Sequence, residues 1–217
     1  GSEMCIRDRF FHVPLTEQPE YNGTQLIHSK VIASYLRQLL RNDLQYAPFR
    51  MEGMEQDVRE MMEIDTPQGK LALQIGGTID RLDSKGDTLR IVDYKTGGTP
   101  KTPENIEQLF TPADNRPNYI FQTFLYAAIL CRKQSLKVAP SLFYIHRAAS
   151  ESYSPVIEMG APRQPKVPVN NFAFFEDEFR ERLHGLLQEI FSQEETFSQT
   201  EDTRKCEYCD FRSLCKR

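Results

Sequence analysis

The residues whose types and spacing could do chemistry lie between Gly76 and Gly97, in the run GGTIDRLDSKGDTLRIVDYKTG. Stretches of alternating apolar and polar residues flank Ser84-Lys85-Gly86-Asp87, and a Gly in so short a polar connection predicts a β-hairpin. With Lys85 and Gly86 as a two-residue turn, Ser84 faces Asp87, Asp80 faces Ile91, and Asp93 lies diagonal to Asp80. Side chains alternate along a strand, so Asp80, Asp93 and Lys95 share one face. Diagonal neighbours sit roughly 7 to 8 Å apart, within reach of one divalent ion. A hard cation such as Mg²⁺ prefers oxygen ligands and keeps waters, which suits two carboxylates and a main-chain carbonyl. In phosphodiester hydrolysis such an ion polarises the phosphoryl oxygen and acidifies a bound water. A lysine beside it orients the water or balances the charge of the transition state. Taken singly, the aspartates are ordinary solvated strand residues and Lys95 an edge-strand guard. Together, around Tyr94 on a half-buried strand, they need a partner.

The elements that must position these groups follow from periodicity. From Gln25 to Arg41, Leu26, Ile27, Val31, Ile32, Tyr35, Leu36, Leu39 and Leu40 recur at threes and fours, which predicts an amphipathic helix ending before Pro48. Residues 54–64 fit helix or strand; the turn-like DTPQG at 65–69 and the alternation after it decide for strand. Strands near 54–64, 70–83 and 88–95 then form a meander. A Gly/Pro-rich loop follows, with a short helix from Glu104 to Phe110. A helix runs from Tyr119 to Lys133, a buried strand from about Lys137 to His146, and a long four-proline connection over 147–171. A last helix spans Phe174 to Phe191. This order predicts an α/β core with a mixed central sheet, a three-strand meander plus a further strand, flanked by helices. The chain divides into a leader (1–9), an N-terminal helical segment (10–50), a core (51–200) and a cysteine-bearing tail (201–217).

The 217 residues suffice for a sizeable core, and 39% apolar and 27% charged residues are ordinary for a soluble protein. A net charge of -4 gives no global sign of nucleic-acid binding, although contacts confined to one groove would not show in it. The absence of long apolar runs predicts no membrane span, with the cytoplasm as the default. Gly1-Ser2 reads as a cloning remnant and residues 1 to about 9 as non-native. Five cysteines, three within the last dozen residues, argue for a metal or cluster site over a disulfide framework.

The runs Gly77-Thr78-Ile79-Asp80-Arg81-Leu82-Asp83 and Ile91-Val92-Asp93-Tyr94-Lys95-Thr96, followed by Gln122-Thr123-Phe124-Leu125-Tyr126, resemble the PD-(D/E)XK nucleases of the RecB/AddB type. The resemblance covers roughly residues 45 to 217 and implies a restriction-endonuclease-like core and a metal-dependent DNA exonuclease. It implies Mg²⁺ or Mn²⁺ on Asp80, Asp93 and the Tyr94 carbonyl, a catalytic Lys95, and Gln122 and Tyr126 on a helix bordering the DNA groove. Four residues apart, these last two share a helix face. Glu55 is the match for the family's upstream acidic residue, and His28 after Gly23 loosely fits a histidine on the preceding helix. DNA is the implied partner, with a helicase subunit or the remainder of a larger chain beside it. A nuclease-fold module that binds DNA or a subunit without cutting is the alternative.

Cys206, Cys209 and Cys215 are spaced C-x2-C-x5-C, and such thiolates can grip one metal or cluster from a tight turn. In AddB-like nucleases this tail resembles the last three ligands of a structural [4Fe-4S] cluster. Cys5 and Cys131 are the candidates for the fourth, and zinc or an empty site remain open. Among basic residues that could meet phosphates, including Arg81, Lys85, Lys101, Arg116, Arg132, Lys133, Arg163 and Lys166, Arg147 after the 137–146 strand is the first choice.

Overall fold

The computed structural model describes residues 20–113, 115–150, 152–192, 198–200 and 203–216. Helix α1 (Gly23–Tyr46) opens the described chain, started by a capping box in which Asn22 and Gln25 bond each other's backbone N–H groups. Strands β1 (Arg50–Thr66), β2 (Gly69–Lys85) and β3 (Thr88–Lys95) follow as the expected antiparallel meander. Helix α2 (Asn118–Cys131) crosses over to β4 (Lys137–Tyr144), which pairs parallel to β3, so the four-stranded sheet is mixed in the order β1-β2-β3-β4. Helix α3 (Glu176–Phe191) completes the α/β core.

The strands have reasons to form here. Pro67-Gln68 turns β1 into β2, and Gly69 takes the φ of 118° that the turn requires. The second hairpin corrects the expected register. Lys85 pairs with Thr88 and Leu82 with Ile91, so the two turn residues are Gly86 and Asp87, and Gly86 adopts φ 62°. A glycine at the first turn position meets the need for positive φ there, as in a type II′ turn. The ladder moves by two residues, which preserves the faces. One more step beyond Arg81↔Val92 sets Asp80 directly opposite Asp93, where the sequence reading had them diagonal.

Alternation along β3 sends Leu89, Ile91, Asp93 and Lys95 to one face and Arg90, Val92 and Tyr94 to the other. The first face is roofed by α2: Ile91, Leu82 and Leu89 share a buried cluster with Phe124, Ala127 and Ala128. Against it packs an aromatic group, with the Phe124 ring 4.9 Å from Phe172 and Phe110 5.3 Å from Phe179. Such edge and tilted contacts suit aromatic quadrupoles. The second face carries a smaller cluster of Val92, Phe143 and Ala148.

Three expectations change. The helix placed at Glu104 to Phe110 is a single 3₁₀ turn, Glu107–Leu109. The strand expected to reach His146 ends at Tyr144, and Ile145–Arg147 form a 3₁₀ turn. The 147–171 connection holds a small ribbon, Glu158–Met159 against Val167–Pro168. On α1 the expected amphipathic stripe is present, but no residue of the helix is buried. Leu26, Ile27, Val31, Ile32, Leu36, Leu40 and Leu44 are exposed, because nothing among the described residues covers them. The helix is held at its C-terminal end, where Asp43 meets Arg81 at 2.8 Å and the Asn42 amide donates to the Ala148 carbonyl.

Candidate active site

The site is built where β2 and β3 part. Asp80 Oδ2 accepts the Tyr94 N–H at 2.7 Å, a side chain standing where the β2 backbone would otherwise bond β3. This anchors Asp80 beside Asp93. Asp93 is buried, 3% exposed, and its carboxyl is raised above the ordinary range. Burial is the main cause; Lys95 opposes it and the neighbouring Asp80 charge reinforces it. Lys95 Nζ lies 2.5 Å from Asp93 Oδ2, an ion pair at the base of the site, and no other donor among the described residues meets this buried oxygen. With Asp80 beside Asp93, this one lysine faces two carboxylates, and the excess negative charge costs free energy unless a further cation meets it.

The roof continues the arrangement. Lys95 Nζ donates to Gln122 Oε1 at 3.4 Å, and Gln122 Nε2 donates to Tyr126 Oη at 2.9 Å. The Lys95 ammonium also sits 4.4 Å from the centre of the Tyr119 ring. Tyr126 reaches back to the first motif, since a Cβ on Gly77 would stand 2.7 Å from its Oη. Only a residue without a side chain lets the phenol approach β2 so closely. Gly77, Asp80, Asp93, Lys95, Gln122 and Tyr126 therefore form one connected site, although three elements supply them.

The Asp80–Asp93 pair suits a hard divalent cation. Two carboxylates one strand apart, one of them buried with a raised pKa, are an oxygen donor set whose negative charge the single Lys95 ammonium only partly offsets. Glu55 lies between the pairs Met54↔Arg81 and Gln56↔Ile79, level with Asp80; it is exposed, adopts φ 48°, and makes no described contact with either aspartate. His28 is exposed on α1.

The opposite face of the same strands has a different character. Asp83, wholly buried, accepts from Arg81 Nε at 2.9 Å and from Arg90 Nε and Nη2 at 2.9 and 2.7 Å. Arg81 also donates to Asp43 at 2.8 Å and to the Tyr94 hydroxyl at 3.1 Å. Burial disfavours its charge, yet these partners raise its pKa overall. The Arg90 guanidinium stacks 3.6 Å above the Tyr46 ring. Arg81 is thus a buried structural cation, which corrects its inclusion among phosphate-contacting residues. Its role was hidden because its partner Asp43 lies on a helix far away in sequence.

The tail cysteines are not drawn together. Cys206 and Cys215 are half-buried, Cys209 is exposed, and no group of three or more His, Cys, Asp or Glu side chains placed to hold a metal occurs among the described residues. Cys5 lies outside the described residues. Burial pushes the Cys131 thiol up to about 11, helped by Glu176 and opposed by Arg180, and the side chain packs against the main core, outside any cluster of metal-ligand residues among those described. No described helix is long and apolar enough to cross a membrane.

A mixed sheet flanked by helices, with paired carboxylates and a lysine where its central strands diverge, defines a restriction-endonuclease-like α/β core. The family model of the PD-(D/E)XK nuclease superfamily matches residues 4–216, and the chain belongs to that superfamily. The match begins well before the motifs at 77–126. A search among curated proteins finds no match.

Proposed function

We propose that this protein is a metal-dependent DNA exonuclease that hydrolyses phosphodiester bonds at the Asp80–Asp93 pair. The observation that carries the reading is the buried Asp93 beside Asp80, two carboxylates with the single Lys95 ammonium between them and an excess of negative charge, in a chain of the nuclease superfamily. Asp80, Asp93 and the Tyr94 carbonyl would hold Mg²⁺ or Mn²⁺, which when bound supplies Lewis-acid polarisation and a more acidic water. Lys95, steadied by Gln122 and the Tyr119 ring, balances the charge that develops on the phosphoryl oxygens. Tyr126 fixes the Gln122 amide and Glu55 adds a carboxylate at the level of Asp80.

The test is incubation of linear single- and double-stranded DNA, with circular DNA as control, in Mg²⁺ or Mn²⁺. The reading predicts degradation of linear substrates that spares circles and vanishes in Lys95→Ala. A folded wild type no more active than Lys95→Ala contradicts it. A second reading, a nuclease-fold module that binds DNA without cutting, is favoured only by the exposed Glu55; DNA binding without cleavage, unchanged in Asp93→Ala, would support it.

Two further expectations belong here. The uncovered apolar stripe of α1 supports packing against more polypeptide, such as a helicase subunit or the rest of a longer chain. The C-x2-C-x5-C spacing supports a [4Fe-4S] or zinc site completed by Cys5, but the described thiols do not converge. No step of the reaction runs through it, and iron, sulfide and zinc analysis of the purified protein decides which it holds.

A further inference from the structure

The loop after β3 bounds an open cavity of about 270 Å³ beside the site, lined by Gly98, Lys101, Arg116, Tyr119 and Tyr144 among others. Tyr144 pairs with Lys95 across the parallel strands, and the Tyr119 ring lies under the Lys95 ammonium, so the cavity adjoins the lysine. A second cavity of about 460 Å³ shares Lys101, Arg116 and Pro117 with the first. The two form a trough that leads away from the aspartates, aromatic at the lysine end and cationic further along.

The walls are set in place. Gly98 holds φ 82°, and a Cβ there would stand 3.1 Å from the Tyr119 ring, so backbone and ring close the inner end together. Tyr119 is nevertheless 42% exposed, with aromatic surface available at the trough. Lys101 Nζ donates to the carbonyls of Asn115 and Arg116 at 2.6 and 3.2 Å, and Arg116 Nε to Asn118 Oδ1 at 2.8 Å. Neither cation has a carboxylate partner among the described residues, unlike Arg81, Arg90 and Arg180.

We propose that this trough is a subsite for the unpaired nucleotide next to the scissile phosphodiester, its base against Tyr119 and its phosphate at Arg116 and Lys101. The inference rests on the nuclease reading and adds to it a preference for single-stranded ends. Aromatic platforms with adjacent cations bind unpaired bases, whose faces are free, and a duplex offers such a face only after unstacking.

The test uses fluorescein-labelled (dT)12. Its binding is followed by anisotropy in EDTA, its cleavage in Mg²⁺ or Mn²⁺, and a blunt duplex serves as comparison. Arg116→Ala and Tyr119→Ala are expected to weaken (dT)12 binding about tenfold each, with KM rising more than kcat falls, while Tyr119→Phe retains wild-type binding. The duplex should respond less. Cleavage by the wild type with (dT)12 binding and KM unchanged in both alanine variants overturns the subsite and leaves the nuclease reading intact. Lost binding in those variants of a protein that does not cleave upholds nucleotide binding in the trough and overturns the nuclease reading.

Discussion

The two faces of β2 and β3 carry the same residue types to opposite ends. On one, Asp83 is saturated by two arginines, and Arg81 is shared among Asp83, Asp43 and Tyr94. On the other, Asp80 and Asp93 face each other with one lysine for two carboxylates, paired with Asp93 at 2.5 Å. Consecutive positions along one strand, Asp93 and Tyr94, thus belong to a deficient and a completed electrostatic network. The completed network fixes the strands; the deficient one carries an excess of negative charge that the protein does not balance. A buried acidic residue is by itself no sign of function, and what distinguishes the two faces is whether the protein supplies the counter-charge in full.

This contrast can be broken from either side. The largest effect is expected from Lys95→Ala, which should lower DNA cleavage by about 10³-fold while the urea midpoint stays near wild type. Loss of fold along with activity would place Lys95 in the structural network instead. On the other face, Asp83→Ala leaves two buried arginines without their carboxylate and should cost roughly 3 to 5 kcal/mol in urea unfolding. A cost below about 1 kcal/mol would show that the arginines find other partners.

Acidity separates the faces as well. Asp93 titrates above its ordinary 3.8 in the folded chain, so its contribution to stability is full below 3.8 and lost as pH rises through the raised value. The stability of the wild type relative to Asp93→Asn should therefore increase on acidification from neutral pH. Equal pH profiles for the two proteins would contradict the assignment. The smallest effect is expected from Gly77→Ala, whose methyl group must displace the Tyr126 phenol. About 1 kcal/mol of stability and roughly tenfold in turnover should be lost, measured by urea unfolding and initial rates.

Much of this site was legible in the sequence because strand alternation has period two. Misplacing the Gly86 turn by one position moved the ladder by two residues, which changed the partner of Asp80 and left its face intact. The meander and the Gln122–Tyr126 spacing were readable for the same local reasons. What stayed hidden depends on distant contacts. Nothing near Gly77 says that a phenol from a helix some fifty residues on will touch it, and nothing near Arg81 announces Asp43. The apolar stripe of α1 was visible, but periodicity marks a face that prefers burial without saying what buries it.

The central claim is that the Asp80–Asp93 face is built for a divalent ion. Calorimetric titration of Mn²⁺ into the metal-free protein near neutral pH tests it most directly. The account predicts saturable binding that Asp80→Asn and Asp93→Asn each abolish and Cys206→Ser leaves in place. Equal Mn²⁺ binding by the wild type and both asparagine variants would contradict it.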